Sequence, residues 1–353
     1  MNTHLSYETE IISGVPQGSV LGPLLFLMMI QDIDNDLKTS ILSSFADDTR
    51  LMRGILNAFD VANLQEDLNS VYEWTSNNNA ELNGLKFEHL CYGKNQELKK
   101  QSAYVTNTGG LIETKENVKD LGVILSSNLT YDVHIKNQIK KVKGISGWIY
   151  RTFKTREIDL MLTLWKSLVI PQLDYCSQLW SPVKCSLKQE LEALQKSFFN
   201  GIPALKRLNY WEKLKKLNLY SLERRRERYR IIYTWCILEG FVPNFNYSEN
   251  KGGIYSYSNQ RLGRLCTLKP VKSGYKNIWK GTLSEDGPKL FNILPKSIRN
   301  TSSCTKQVFK NKLDQFLQTV PDEPLLPNYF PFRRADSNSL LEMVKHRTSK
   351  LDV

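Results

Sequence analysis

At 353 residues the chain is long enough for two or three domains and a sizeable core. Its 41% hydrophobic and 24% charged content is that of a globular protein and argues against a disordered or fibrous one. The net charge of +12 is unevenly placed: residues 1–120 hold 9 Lys and Arg against 17 Asp and Glu, net −8, and the remainder holds 39 against 19, net +20. An acidic front and a basic back suit a metal-binding site followed by a region that holds nucleic acid; solubilising lysine-rich helices account for the same charge equally well. Six cysteines (Cys91, Cys176, Cys185, Cys236, Cys266, Cys304) have no Cys-x-x-Cys spacing. They signal neither a zinc site nor a disulfide framework and fit a reducing, intracellular compartment. The first ten residues carry no Lys or Arg, and the apolar run Val20–Ile30 is short and broken by Gly22-Pro23, so neither a signal peptide nor a transmembrane helix is read here.

Residues 1–12 read as a strand, the second arm of a hairpin. Ser13-Gly14-Val15-Pro16-Gln17-Gly18-Ser19-Val20-Leu21-Gly22-Pro23 is a rigid, glycine-studded loop leading into an apolar helix through Ile30. Gly14 and Gly18 let backbone approach a ligand closely, Gln17 offers an amide that donates and accepts, and Gly22-Pro23 suits a helix start. Asp32, Asp34 and Asp36 read as a solvated acidic patch. Ile41-Leu42 and Leu51-Met52 then flank Phe45-Ala46-Asp47-Asp48, which reads as a buried hairpin with an acidic turn. Adjacent carboxylates repel, and a divalent cation relieves that; hard oxygen ligands suit Mg²⁺. Taken alone, an Asp-Asp pair is most simply a polar turn.

The glycine-rich loop and the Phe-Ala-Asp-Asp box, in this order and spacing, resemble the palm of reverse transcriptases, in particular those of non-LTR (LINE-like) retrotransposons. The resemblance implies that Gly14, Pro16, Gln17 and Gly18 position nucleotide and template. It implies that Phe45 and Ala46 lie under the primer end, and that Asp47 and Asp48 are catalytic metal ligands, Asp47 in direct contact with the metal. Two Mg²⁺ ions, an RNA template, a DNA primer and deoxynucleoside triphosphates come with that reading. So does a third carboxylate on an upstream strand, which together with the fingers is expected to lie before Met1. The chain accordingly reads as a polymerase from mid-palm onward.

Further along, Val61, Leu64, Leu68, Val71 and Tyr72 recur at helical spacing, predicting a helix over 60–79 that Trp74 helps to end. Leu82-Asn83-Gly84-Leu85-Lys86 is similar to a family segment in which the lysine, here Lys86, neutralises the triphosphate or protonates pyrophosphate; as a residue alone it is a surface lysine. Val118–Leu125 reads as one strand, similar to the one that grips the primer. From Tyr131 the pattern turns helical and basic, with Lys136, Lys140, Lys141, Lys143 and Arg151. A second helix follows Thr155 and is kinked or ended by Pro171. Arg224, Arg225, Arg226, Arg228 and Arg230 share one helix with Tyr229, Tyr233 and Trp235. That helix reads either as a solvated basic face or as a duplex-gripping surface. Residues 241–289 look loop-rich, and the chain beyond Pro321 looks poorly ordered.

The expected fold is α+β: a partial polymerase palm over 1–128, an antiparallel sheet with helices on one face, then a basic helical thumb-like region over 129–240. A loop-rich region with a terminal helix over 241–320 and a disordered tail over 321–353 complete it. The expected function is RNA-directed DNA polymerase of a non-LTR retrotransposon, in the nucleus or cytoplasm and without a membrane. A catalytically inactive retroelement relic and a non-enzymatic nucleic-acid-binding protein are the alternatives.

Overall fold

A computed structural model describes residues 14–16, 18–80, 82–93, 95–242, 255–260, 263–268, 281–324, 338–341 and 343–344. The chain divides into two compact units, 1–129 and 130–353.

In the first unit, α1 (Gly22–Ile30) precedes the antiparallel hairpin of β1 (Ile41–Phe45) and β2 (Asp48–Met52). Next comes α2 (Ala58–Asn77), started by a reciprocal capping box between Asn57 and Asp60. Arg53 holds the other side of Asp60 at 2.8 Å. The apolar stripe of α2 faces inward: Leu68 and Tyr72 pack with Tyr104 and Ile112, and Val71 and Trp74 pack with Ile33. Trp74 also donates its indole N–H to Asp32 at 3.0 Å, so Asp32, exposed like Asp34 and Asp36, also anchors the α1–β1 connection. β3 (Glu88–Leu90), α3 (Gln96–Gln101) and β4 (Glu113–Lys115) follow, β3 pairing parallel with β4.

The segment expected to be one strand is a hairpin, β5 (Asn117–Asp120) and β6 (Val123–Ser126). Its two-residue turn, Leu121-Gly122, has positive φ at both positions (43° and 84°), the primed geometry that matches strand twist. The continuous antiparallel palm sheet is likewise replaced, among the described residues, by separate two-stranded ladders. These strands are three to five residues long. β1 and β2 have no third strand beside them among the described residues, and Ile41, Phe45 and Met52 remain exposed.

The second unit is mainly helical. α4 (Asp132–Thr152) is followed by one continuous helical run over 158–174: α5 (Ile158–Leu164), a π-helical turn Trp165–Val169, and α6 (Ile170–Asp174). The run passes through Pro171 and does not end there; proline lacks the N–H for an α-type bond, and a π turn just before it re-spaces the ladder. Then come α7 (Cys185–Asn200), α8 (Tyr210–Leu217) and α9 (Leu222–Leu238). Trp165, Phe198 and Phe199 form a fully buried triad with ring centroids 4.8–5.4 Å apart.

The hairpin β7 (Tyr255–Gln260) and β8 (Gly263–Leu268), then α10 (Leu283–Asn292), α11 (Lys296–Arg299) and α12 (Lys306–Thr319), complete the described elements. One core joins α9, α10, α12 and the C-terminal residues: Trp235 stacks on Phe309 at 4.5 Å, and Leu290, Leu313, Val320, Leu340 and Met343 close around them. The boundaries expected at 240 and 320 therefore cut through a single core. Residues 338–344, expected to be disordered, are docked where described: Glu227 accepts from Ser339 Oγ at 2.6 Å and from Leu340 N at 2.9 Å.

A buried carboxyl on α7 gives this unit a pH dependence. Glu192 accepts the Tyr210 hydroxyl and the Leu222 N–H, but burial outweighs these bonds and pushes its pKa up to about 7. A raised acid pKa means that the folded state keeps a proton the unfolded chain releases. This contribution to stability is full below pH 4.5 and falls as pH rises towards 7. Glu192→Gln is expected to flatten that slope by on the order of 2 kcal/mol, read as the difference between urea midpoints of wild type and variant across the window.

Candidate active site

The hairpin is closed by a two-residue turn. Phe45 pairs with Asp48 in register, leaving Ala46-Asp47 as the loop. Ala46 has φ +52°, the left-handed region that costs a residue with a Cβ about 1–2 kcal/mol. Strain of this kind persists where surroundings hold it, and it turns Asp47 and Asp48 outward at the tip. The tip is not buried as expected: Phe45, Ala46, Asp47 and Asp48 are all exposed, Phe45 at 66%. Exposure leaves both carboxylates open to a ligand.

Three restraints fix the hairpin. Leu42 and Leu51 are cross-strand partners on the inner face, one packing with Val71 and Trp74 and the other with Leu68 and Tyr72. Arg50 of β2 pairs with Asp120 of β5 at 3.0 Å. The third restraint was missed in the sequence. Asp67 of α2, 1% exposed, accepts from Lys38 N at 2.8 Å, Thr39 N at 3.3 Å, Thr39 Oγ1 at 2.9 Å and Ser40 N at 2.8 Å. These residues lead straight into β1, so Asp67 sets where the hairpin starts. Burial raises its pKa, but bonds from the 38–40 segment outweigh this and hold it below the ordinary value. The only sequence signal was an Asp on the apolar side of an amphipathic helix.

The glycine-rich loop forms a turn ahead of α1. Pro16 O accepts from Ser19 N at 3.3 Å and Ser19 Oγ at 2.8 Å, and Ser19 Oγ in turn accepts from Gly22 N at 2.9 Å. Ser19 thus satisfies an N-terminal N–H of the helix, which begins at Gly22-Pro23 as the sequence suggests. Gly22 is required by space, because a Cβ there would lie 2.8 Å from Pro16 O. Gly14 and Gly18 have positive φ with open space beside them, as a ligand-facing backbone needs. Pro16 is exposed, and Gln17 lies outside the described residues. Lys86 ends a one-turn 3-10 helix, Gly84–Lys86, and is exposed. Among the described residues no hydrogen bond or ion pair joins Lys86 to Asp47 or Asp48, and no group of three or more His, Cys, Asp or Glu could hold a metal.

The five α9 arginines are buried or half-buried, and each has a partner within the unit. Arg225 grips Asp174 with two nitrogens at 2.8 and 2.6 Å, and Arg228 grips Asp314 at 2.5 and 2.6 Å. Arg230 pairs with Asp286 at 2.8 Å and donates to Gly281 O. Arg226 lies 3.5 Å from Glu223, which Lys188 also holds at 2.6 Å. Arg224, fully buried, donates to Val320 O, Pro321 O and Asn338 O. Helical geometry sends five arginines all round α9; four of them meet a carboxylate or a carbonyl from another part of the unit, and Arg226 meets Glu223 of the same helix.

Residues 1–125 match the family model described as reverse transcriptase (RNA-dependent DNA polymerase). Members of that family use a divalent metal. Among its relatives is a probable RNA-directed DNA polymerase from transposon X-element of Drosophila melanogaster, 27% identical over 202 residues. That alignment covers 54% of this chain and 22% of the relative. The RNA-directed DNA polymerase from mobile element jockey of the same organism is 28% identical over 198 residues, 52% of this chain and 21% of the relative. Its counterpart in Drosophila funebris is 27% identical over 209 residues, 54% and 22% respectively. The chain thus spans about a fifth of the length of these curated relatives. No solved structure matches. No described helix is long and apolar enough to cross a membrane.

Proposed function

We propose that the chain is part of an RNA-directed DNA polymerase of a non-LTR retrotransposon, with the β1–β2 tip as its nucleotidyl-transfer site. The observation that carries this is the strained two-residue turn, inside the matched segment, presenting two open carboxylates. Their hard oxygens fit Mg²⁺, with Asp47 in direct contact and Asp48 helping to hold the ion or the primer terminus. A bound divalent cation supplies a lowered pKa for the primer 3′-hydroxyl and charge neutralisation for departing pyrophosphate. The protein's own residues do the positioning. Ala46 is small enough for the primer end to come close, and Phe45 supports it. Gly14, Pro16, Gln17 and Gly18 orient nucleotide and template, and Lys86 meets the triphosphate or gives pyrophosphate a proton. The substrates are an RNA template, a DNA primer and deoxynucleoside triphosphates, and the palm and thumb assignments belong to the same proposal.

The test is primer extension on an RNA template with Mg²⁺. Wild type is expected to extend, and the Asp47→Asn, Asp48→Asn double variant to lose about a thousandfold or more, a usual cost for removing charged groups that stabilise the transition state. Equal extension by both chains would remove the hairpin from the chemistry. A second reading is an inactive relic of the same fold. It predicts a folded chain that extends nothing.

A further inference from the structure

We propose that α4 carries a binding surface for single-stranded nucleic acid, built from its exposed cations and Trp148 and independent of the hairpin chemistry. With the α9 arginines engaged internally, α4 is one helix of the second unit that shows a line of open positive charge. Lys136, Lys140, Lys141, Lys143 and Arg151 are all exposed, and none makes an ion pair among the described residues. No acidic residue follows Asp132 on this helix, and Asp132 itself is held by Lys184. At 100° per residue the five cations fall within one half of the helix, opposite buried Ile135, Ile139, Val142 and Ile149. From Lys136 to Arg151 they span about 22 Å, enough to follow several phosphates of one strand.

Two further observations select the ligand. Trp148 lies on the same face, 48% exposed, steadied edge-on by Phe153 at 6.1 Å. An indole held open among cations gives a base somewhere to stack, and an unpaired base offers its π-face as a duplex does not. Gly144 and Gly147 sit between the lysines and Trp148. A Cβ at Gly144 would meet nothing, and one at Gly147 only the end of Arg151. Glycine is a poor helix former, and internal packing does not require it at these positions; both leave room for a sugar–phosphate backbone to come close.

The experiment is fluorescence anisotropy of the full chain with an oligouridylate RNA of about 20 nucleotides, long enough for such a site. A mixed-sequence duplex of equal length is the comparator. The triple variant Lys140→Gln, Lys141→Gln, Arg151→Gln is expected to bind the RNA at least about 10-fold more weakly and to lower the log–log salt slope by about 2. Trp148→Ala is expected to weaken RNA binding about 5- to 100-fold with the slope unchanged, and Trp148→Phe to restore most of it. All these changes lie on the exposed face, and unchanged circular dichroism confirms the fold. Tighter binding of duplex than of RNA, with Trp148→Ala silent, would overturn the single-strand assignment; unchanged RNA binding by the triple variant would overturn the surface altogether. Asp47→Asn, Asp48→Asn is expected to leave RNA binding intact, so a failed polymerase reading and a failed α4 reading give different results.

Discussion

Arg224→Ala is expected to destabilise the second unit by about 3–5 kcal/mol, the range for breaking a buried charge arrangement by removing one partner. The guanidinium has no exposed surface and serves three carbonyl oxygens: Val320 at 3.2 Å, Pro321 at 2.9 Å and Asn338 at 3.2 Å. Glu227 and Asp322 stand 3.8 and 3.9 Å from its Nε, so its removal leaves two inward-facing carboxyls without their counter-charge. Asp322 keeps hydrogen bonds from Ser221 N and Oγ at 2.6 and 2.7 Å, but burial raises its pKa even with Arg224 present. Loss of Arg224 should push it further up and drive it to take a proton. Two readouts check this: the urea midpoint falls, and adding Asp322→Asn to Arg224→Ala recovers part of the loss instead of adding to it, since the stranded charge has gone. Equal and additive losses would mean that Arg224 acts through its carbonyl bonds alone.

Asp67→Ala should have the next largest effect, about 2–3 kcal/mol on the first unit, because three backbone N–H groups and one hydroxyl lose a single charged acceptor. The amides of Lys38, Thr39 and Ser40 are then expected to exchange about 30- to 150-fold faster, following that free energy. Since these residues lead into β1, the variant also loosens the tip that carries Asp47 and Asp48. Asp67→Asn keeps one acceptor oxygen and should lose about half as much. The pH dependence runs opposite to that of Glu192. A carboxyl with a lowered pKa stabilises the fold above its unfolded value of about 4, and the contribution disappears as pH falls through the folded value. Acid should therefore open the first unit, while a rise from pH 4.5 to about 7 weakens the second through Glu192.

The β1–β2 hairpin and the glycine-rich loop were the readable parts of this chain, for local reasons. A hairpin announces itself by apolar flanks around turn residues, and Phe45-Ala46-Asp47-Asp48 with Leu42 and Leu51 does so within twelve residues. The Leu121-Gly122 turn was hidden because an apolar Leu occupies a position usually held by Asn or Asp, so two strands read as one. The arginine helix misled for a different reason. Its charge is visible in the sequence, but its partners Asp174, Asp286 and Asp314 lie 51–86 residues away, each an unremarkable acid in its own neighbourhood. Asp67 likewise became legible only once the 38–40 loop lay beside it. Charge patterning alone could not tell α9, whose cations are satisfied within the fold, from α4, whose cations remain open.

The reach of those pairings sets an order of events during synthesis. Arg225 finds Asp174 already made when α9 leaves the ribosome, but Arg230, Arg228 and Arg224 must wait for partners 56, 86 and up to 114 residues further along the chain. At about 5–20 residues per second that is an interval of up to roughly 6–23 s in which a newly made helix carries unmatched cations beside an open apolar core. For that interval α9 is a polybasic segment in a cell full of RNA. A ribosome that stops before residue 286 would leave Arg224, Arg228 and Arg230 unmatched, turning an interior strut into a nonspecific RNA-binding tail.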